Sequence, residues 1–379
     1  MSGVGRESEE PGVCNSRLFL HGPVSVRKVA GPMNPPVEYA FVNAKIRAKL
    51  SFILAPQDID ELADIPRLPE FLRELKECRN FSFLPSELSS PGREAGDIIR
   101  EIESGISNHF FMEVSGLARV SGSKTLKLAV SALLKSFEID GLRKILAAVF
   151  LGQKPGLSGT EGISGIAASE LLESSSPDAL LAKLRKTPYH VLLAGSMPEF
   201  TKTGSLFAFE SALDMFYYRQ MYGLRSLLSR RDSTILERIL DANVDMKNLE
   251  ILFRLHGYYG AAAAGLSGYL IPFGGVFKRA ARIEQPSPGS LLSLFRFPDP
   301  GAAARIAEEK DFSRQALLLE RLLEEILRTE IGGLLTRDPF SIGIFLAWYF
   351  LRLNENRAVV TLLNGRFYGI PKERTSRAV

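Results

Sequence analysis

The chain has 379 residues, with 47 Lys+Arg against 43 Asp+Glu, two cysteines and four histidines. A chain of this length predicts two or three domains with a substantial core. Its charges are interspersed, which excludes the one-signed footprint of a nucleic-acid-binding surface. Cys14 and Cys78 are too few for a disulfide framework or a cysteine-based zinc site, and His21, His109, His190 and His256 stand in no metal-ligand spacing.

Residues 1–35 carry Gly, Pro, Ser and charge without helical periodicity, and read as a mobile extension with Met33 as an alternative start. No secretory signal is expected there, because no long apolar core follows a basic start. From there on helical periodicity dominates. Val42, Ile46, Leu50, Ile53 and Leu54 fall on one face at steps of three and four. Gly122-Ser123-Lys124-Thr125 resembles the end of a phosphate loop, but Ser123 separates the glycine from the lysine and no strand precedes it. It reads as a loop before a helix from Leu126. Gly156, Gly159, Gly162 and Gly165 recur every third residue among serine and threonine, the composition of a flexible linker.

Leu206, Phe209, Leu213, Phe216 and Leu224 mark a further helix, and Phe312, Ala316, Leu319, Leu323 and Ile326 the clearest one. Between them Gly257–Phe277 runs 21 residues without a charge, long enough to span a bilayer. Six of these residues are glycine and Pro272 precedes a Gly-Gly pair, so a buried connection is expected rather than a span. Phe340–Leu351 is apolar but too short to span, and reads as a core helix. Alternating strands are nearly absent, so the fold class is all-α.

Three of these stretches repeat one another. The phrase Ile102-Glu103, Ile106, Phe110 returns as Phe209-Glu210, Leu213, Tyr217 and as Leu319-Glu320, Leu323, Leu327, at steps of 107 and 110 residues. A second acid stands 35 residues after each glutamate: Glu138, Asp245 and Glu355. Each second acid is followed at +4, +7 and +8 by apolar residues: Leu142, Ile145 and Leu146; Leu249, Leu252 and Phe253; Val359, Leu362 and Leu363. Two templates at a fixed spacing, three times over, indicate threefold duplication. This divides the chain into an extension (1–35) and repeats over 36–152, 153–262 and 263–379. Leu213 and Leu323 are expected to face cores. A weaker echo joins the segment around Leu72 to that around Leu180, with no visible third counterpart.

Catalytic signatures are missing: no G-x-S-x-G elbow occurs, and the acids at Asp58, Asp60 and Glu61 or at Glu308, Glu309 and Asp311 read as helix-start charges. The repeated acids, once per copy, read as architectural partners rather than one active site. No catalytic residue, cofactor or metal is predicted.

The repeated phrases also carry a resemblance. Tyr39-Ala40-Phe41-Val42-Asn43-Ala44-Lys45-Ile46-Arg47 is similar to the opening helix of the C-subunit family of archaeal and bacterial V/A-type ATPases, the counterpart of the d-type subunit of the eukaryotic vacuolar enzyme. That family's middle signature is met by Asp245, Asn248, Leu249, Leu252 and Arg254, and its paired tyrosines by Glu210, Leu213, Asp214, Tyr217 and Tyr218. Its terminal pattern is met by Asn354-Glu355, Arg357, Leu362-Leu363, Gly365, Gly369 and Pro371, and its connector by Ile271–Gly275. The signature asparagine is kept only at Asn248, with Gly141 and Ala358 in the other copies, and the Arg254 position holds Ala147 and Asn364. The resemblance implies a non-catalytic rotor part, a pseudo-threefold funnel of three similar helical domains. Its implied place is the cytoplasmic face of the membrane, peripheral, between a membrane rotor ring and the coiled-coil protein of the central stalk. There it would couple ATP hydrolysis or synthesis to ion (proton or sodium) transport. Two other readings stay open: a stand-alone helical adaptor unrelated to ion transport, and a membrane-attached enzyme that needs Gly257–Phe277 to cross the bilayer.

Overall fold

A computed structural model describes residues 35–85, 95–152, 162–259, 267–280, 282–283, 287–337 and 340–370. The N-terminal extension up to Asn34, Gly156 and Gly159 of the glycine-rich segment, and 260–266 of the charge-free stretch lie outside the described residues.

The described residues form fifteen α-helices, and their one β contact is an isolated bridge between Ile163 and Ile166. In chain order these are α1 (Pro35–Leu50), α2 (Pro56–Asp64), α3 (Leu68–Glu77), α4 (Ala95–Val120), α5 (Lys124–Leu151), α6 (Ala168–Leu172), α7 (Pro177–Lys183) and α8 (Tyr189–Thr203). They continue as α9 (Phe207–Gly223), α10 (Arg230–Tyr259), α11 (Gly274–Ala280), α12 (Pro288–Leu292), α13 (Pro300–Glu308), α14 (Phe312–Arg337) and α15 (Gly343–Phe367). The chain is all-α, as periodicity requires. Helix α5 begins two residues before the expected Leu126, because the Ser123 hydroxyl accepts the Leu126 N–H at 3.0 Å as an N-cap. The motif that resembled a phosphate loop is therefore a helix cap.

The sequence repeat becomes a repeat of helices. Each copy carries two short helices (α2 and α3, α6 and α7, α12 and α13) followed later by a long pair (α4 and α5, α9 and α10, α14 and α15). Proline occupies the first turn of α3, α7 and α13, where its missing N–H is harmless. Helix α13 thus stands where the third echo of the Leu72 segment was missing. Its sequence is alanine-rich and buries only Ile306, whereas α3 buries Phe71, Leu72 and Leu75.

Packing is staggered with respect to the repeats. Ile139, Leu142, Ile145 and Leu146 from the second half of α5 share a core with Leu171, Leu180, Leu184, Leu193, Phe209 and Leu213. Ala358, Val359, Leu362 and Leu363 of α15 share one with Ile59, Leu62, Phe71, Leu72, Ile102 and Ile106, near the other end of the chain. Leu249, Leu252 and Phe253 of α10 pack with Leu291, Ile306, Leu319 and Leu323 in the largest core. Each long second helix therefore supplies a wall to the elements of the next copy, and the last supplies the first.

The same largest core collects Val42, Ile46, Phe110, Val114, Leu126, Leu133, Leu236, Leu240, Phe345, Trp348 and Tyr349. At its middle lies the start of α15, whose residues 343–350 are all buried, so these first two turns are core on every side. The core helix expected over Phe340–Leu351 begins at Gly343; Phe340 ahead of it is exposed and Leu351 is half-buried. Pro35–Val379 forms one compact unit. Leu213 and Leu323 are both fully buried, and so are all nine apolar residues that follow the second acids.

Candidate functional site

The second acid of each copy grips backbone in a connector leading to short helices. Glu138 on α5 accepts the Ser164 N–H and, at 2.8 Å, the Ser164 hydroxyl; Ser164 has φ 51° and needs outside support. Asp245 on α10 accepts the Val276 N–H at 2.7 Å, at the start of α11. Glu355 on α15 accepts the Leu54 N–H at 2.8 Å, just ahead of α2 and 301 residues back in sequence. The three joints form a cycle: copy one holds the connector into two, two into three, and three the connector within one.

The three carboxylates differ in electrostatics. Burial pushes Asp245 and Glu355 above the ordinary carboxylate range, against backbone N–H bonds on Asp245 and the Arg352 charge on Glu355. Burial acts the same way on Glu138, but Lys135 and Ser164 outweigh it and hold that carboxyl below its ordinary value.

Asn248 adds a second clasp. Fully buried, its amide donates to the Ile271 carbonyl at 2.9 Å and its oxygen accepts the Ile271 N–H at 2.8 Å. Copy one has Gly141 here, where a Cβ would lie in ordinary contact with the Ile163 side chain at 3.6 Å.

The first acids have different partners. Glu103 on α4 accepts from the Asn364 amide of α15, the residue at the Arg254 position of copy three. Glu210 on α9 is exposed and acts on the Arg143 guanidinium. Glu320 on α14 and Arg254 on α10 both bear on the carboxyl of Glu250. The eight sequence-selected residues are therefore distributed over connectors and helix contacts, and do not converge on one reactive point.

A polar face does run along the long helices. Arg143 bridges Asp214 at 2.5 Å and Asp140 at 2.7 Å, and Lys247 reaches Asp214 at 3.0 Å, joining α5, α9 and α10. Glu250, Glu320 and Glu324 continue it across α10 and α14. Burial, reinforced by the Glu320 charge and opposed by Arg357, pushes Glu324 up to about 7. Burial likewise raises Glu250 and Tyr217, and Arg357 of α15 acts on both from an exposed position.

Sequence reasoning missed Arg352, fully buried among apolar neighbours on α15. Its guanidinium bridges Glu355 at 2.8 Å and Glu113 of α4 at 3.3 Å, donates to the Asn80 carbonyl at 3.0 Å and lies over the Phe81 ring. Lys49 of α1 also pairs with Glu113, so this network ties α1, α4 and α15 together. The signal available in sequence was the charge itself, placed in a segment that periodicity assigns to the core. Among the described residues no group of three or more His, Cys, Asp or Glu could hold a metal ion, and no helix is long and apolar enough to cross a membrane.

The chain is all-helical, and Glu138, Asp245 and Glu355 each hold connector backbone. In the comparison with known families, residues 42–378 match the ATP synthase (C/AC39) subunit family, and the chain belongs to it. It is similar to the C-type subunit of the A-type ATP synthase of Methanosphaera stadtmanae, 24% identical, with 86% of this chain and 83% of that protein aligned. The corresponding A-type ATP synthase protein of Methanocaldococcus jannaschii is 20% identical over 88% of this chain and 84% of its own, and that of Thermococcus onnurineus 22% over 90% of each.

Proposed function

We propose that the chain is a non-catalytic rotor part of an A/V-type ATPase, seated between the membrane rotor ring and the coiled-coil central stalk on the cytoplasmic face. In this reading the copies 36–152, 153–262 and 263–379 form a pseudo-threefold funnel, whose polar inner face takes the stalk tip. The part passes torque between ATP hydrolysis or synthesis elsewhere and proton or sodium movement in the membrane.

The single observation that supports this beyond family membership is the closed cycle of acid-to-connector joints. A part that carries torque needs stiffness about an axis, and interlocking each copy with the next opposes its being opened by shear. Close-packed helices supply the rest of the stiffness. Immunoprecipitation of the native protein from cells, followed by mass spectrometry, tests the proposal. Recovery of the ring and stalk proteins of the ATPase is expected. A wholly soluble, unassociated protein in cells that express the complete ATPase would overturn it in favour of a free-standing adaptor.

A further inference from the structure

His109 stands on α4 beside the contact that closes copy three onto copy one. Its ring stacks on Phe83, with 4.3 Å between centroids and 15° between planes. The Nδ1 nitrogen is buried and makes no hydrogen bond, and Glu113 Oε2 lies 3.7 Å from it. The rest of the side chain is partly open to solvent, so a proton can reach the ring without unfolding.

The carboxylate beside the ring is already engaged on both oxygens. Lys49 of α1 pairs with Glu113 Oε1, and Arg352 of α15 reaches Glu113 Oε2 at 3.3 Å. Arg352 also holds Glu355 at 2.8 Å, and Glu355 in turn accepts the Leu54 N–H ahead of α2. Two cations, Lys49 and Arg352, thus face two carboxylates, Glu113 and Glu355, and the cluster is balanced while His109 is neutral. The charges that bear on the imidazole are Glu113 of its own helix, Arg352 of α15 and Lys49 of α1, while the segment after α3 presents the uncharged Phe83 ring. A proton on His109 leaves two carboxylates to hold three cations in a mostly buried cluster.

We infer that His109 is an acid-sensitive latch: its protonation loosens the Lys49–Glu113–Arg352 cluster, and with it the Glu355 grip on Leu54 that closes copy three onto copy one. Burial, helped by Arg352 and Lys49, outweighs the pull of Glu113 and holds the imidazole below its ordinary 6.5. The unfolded chain therefore takes this proton before the folded one. Stability falls as pH drops through about 6.5 and levels off once the folded ring is charged. Glu355 works the other way, since burial raises its carboxyl and the folded chain takes that proton more readily. Glu324 does the same. Both carboxyls are kept when His109 alone is replaced, so comparison with such a variant cancels them.

The test compares the full chain with H109Q in thermal melts and amide hydrogen exchange at about pH 7.5, 6.5 and 5.5, values that bracket histidine titration. Wild type should lose melting temperature relative to H109Q as pH falls. At the lowest pH the Leu54 amide should exchange at least about twofold faster in wild type than in H109Q, while the Val276 amide, on the Asp245 joint, exchanges alike in both. An NMR titration of the imidazole protons, assigned by their loss in H109Q, should place His109 below 6.5. Should H109Q melt early at neutral pH, H109F, which keeps a ring on Phe83, replaces it in every comparison. Parallel melting profiles, equal Leu54 exchange at the lowest pH, or a His109 titration at or above 6.5 would overturn the inference. So would equal acceleration at Leu54 and Val276, since the proton would then act on the whole fold and not on this contact. Every readout is taken on the isolated chain, so its failure is distinct from a failure to recover ATPase partners in cells.

Discussion

Asn248→Ala removes a clasp with two buried ends. Asn248 and Ile271 are both fully buried, and the 2.8 and 2.9 Å bonds satisfy both the N–H and the carbonyl of Ile271. Truncation strands the Ile271 N–H, while the Ile271 carbonyl keeps the Phe273 N–H at 2.7 Å, so the cost is about 1–3 kcal/mol for one buried unsatisfied group. The compact unit Pro35–Val379 has a melting entropy of about 0.7 kcal/mol/K at ~2.1 cal/mol/K per residue, so the melting temperature should fall by about 1–4 °C. Urea unfolding followed by circular dichroism measures the free energy, and a thermal melt gives the shift. A variant within about 0.5 kcal/mol of wild type, the range of ordinary surface changes, would refute the clasp as a stabilising element.

Arg352→Met should destabilise by about 3–5 kcal/mol, since it leaves the buried Glu355 carboxylate without its cation while Glu113 keeps Lys49, and adding Glu355→Gln should recover part of the loss in urea titrations. The Glu324 carboxyl, pushed up to about 7 from an ordinary 4.5, keeps its proton in the folded state over a range where the unfolded chain has lost it. Its contribution is full at acid pH and is lost as pH rises through about 7, so Glu324→Gln should flatten the fall in unfolding midpoint between about pH 5 and 8. An unchanged slope refutes that assignment. Leu323→Asp buries a charge at a fully buried site and should cost more than about 3 kcal/mol, whereas wild-type stability would sink the repeat alignment.

Much of the architecture was legible because it is local. Steps of three and four named the helices, and the apolar positions after each repeated acid named core faces such as Leu142, Leu249 and Val359. The tasks of the acids were not legible: spacing says that Glu138, Asp245 and Glu355 are equivalent, but their partners Ser164, Val276 and Leu54 are fixed only by tertiary packing. Helix α13 escaped notice because alanine replaces the leucines of its counterparts, leaving little apolar contrast to read. Arg352 escaped for the opposite reason: a charge inside an apolar segment reads as a boundary until its partners are seen.

The bond from Leu54 to Glu355 has a consequence for biosynthesis. Helices α2 and α3 emerge from the ribosome early, but Phe71 and Leu72 share their core with Ala358, Val359, Leu362 and Leu363. At about 5–20 residues per second, roughly 15–60 s of translation separate the two halves of that core. For that interval the N-terminal apolar face has α4 beside it but lacks the α15 half of its cover, which makes it a natural client surface for a chaperone. A ribosome stalled before α15 holds a chain in which the second core can be complete while the first cannot.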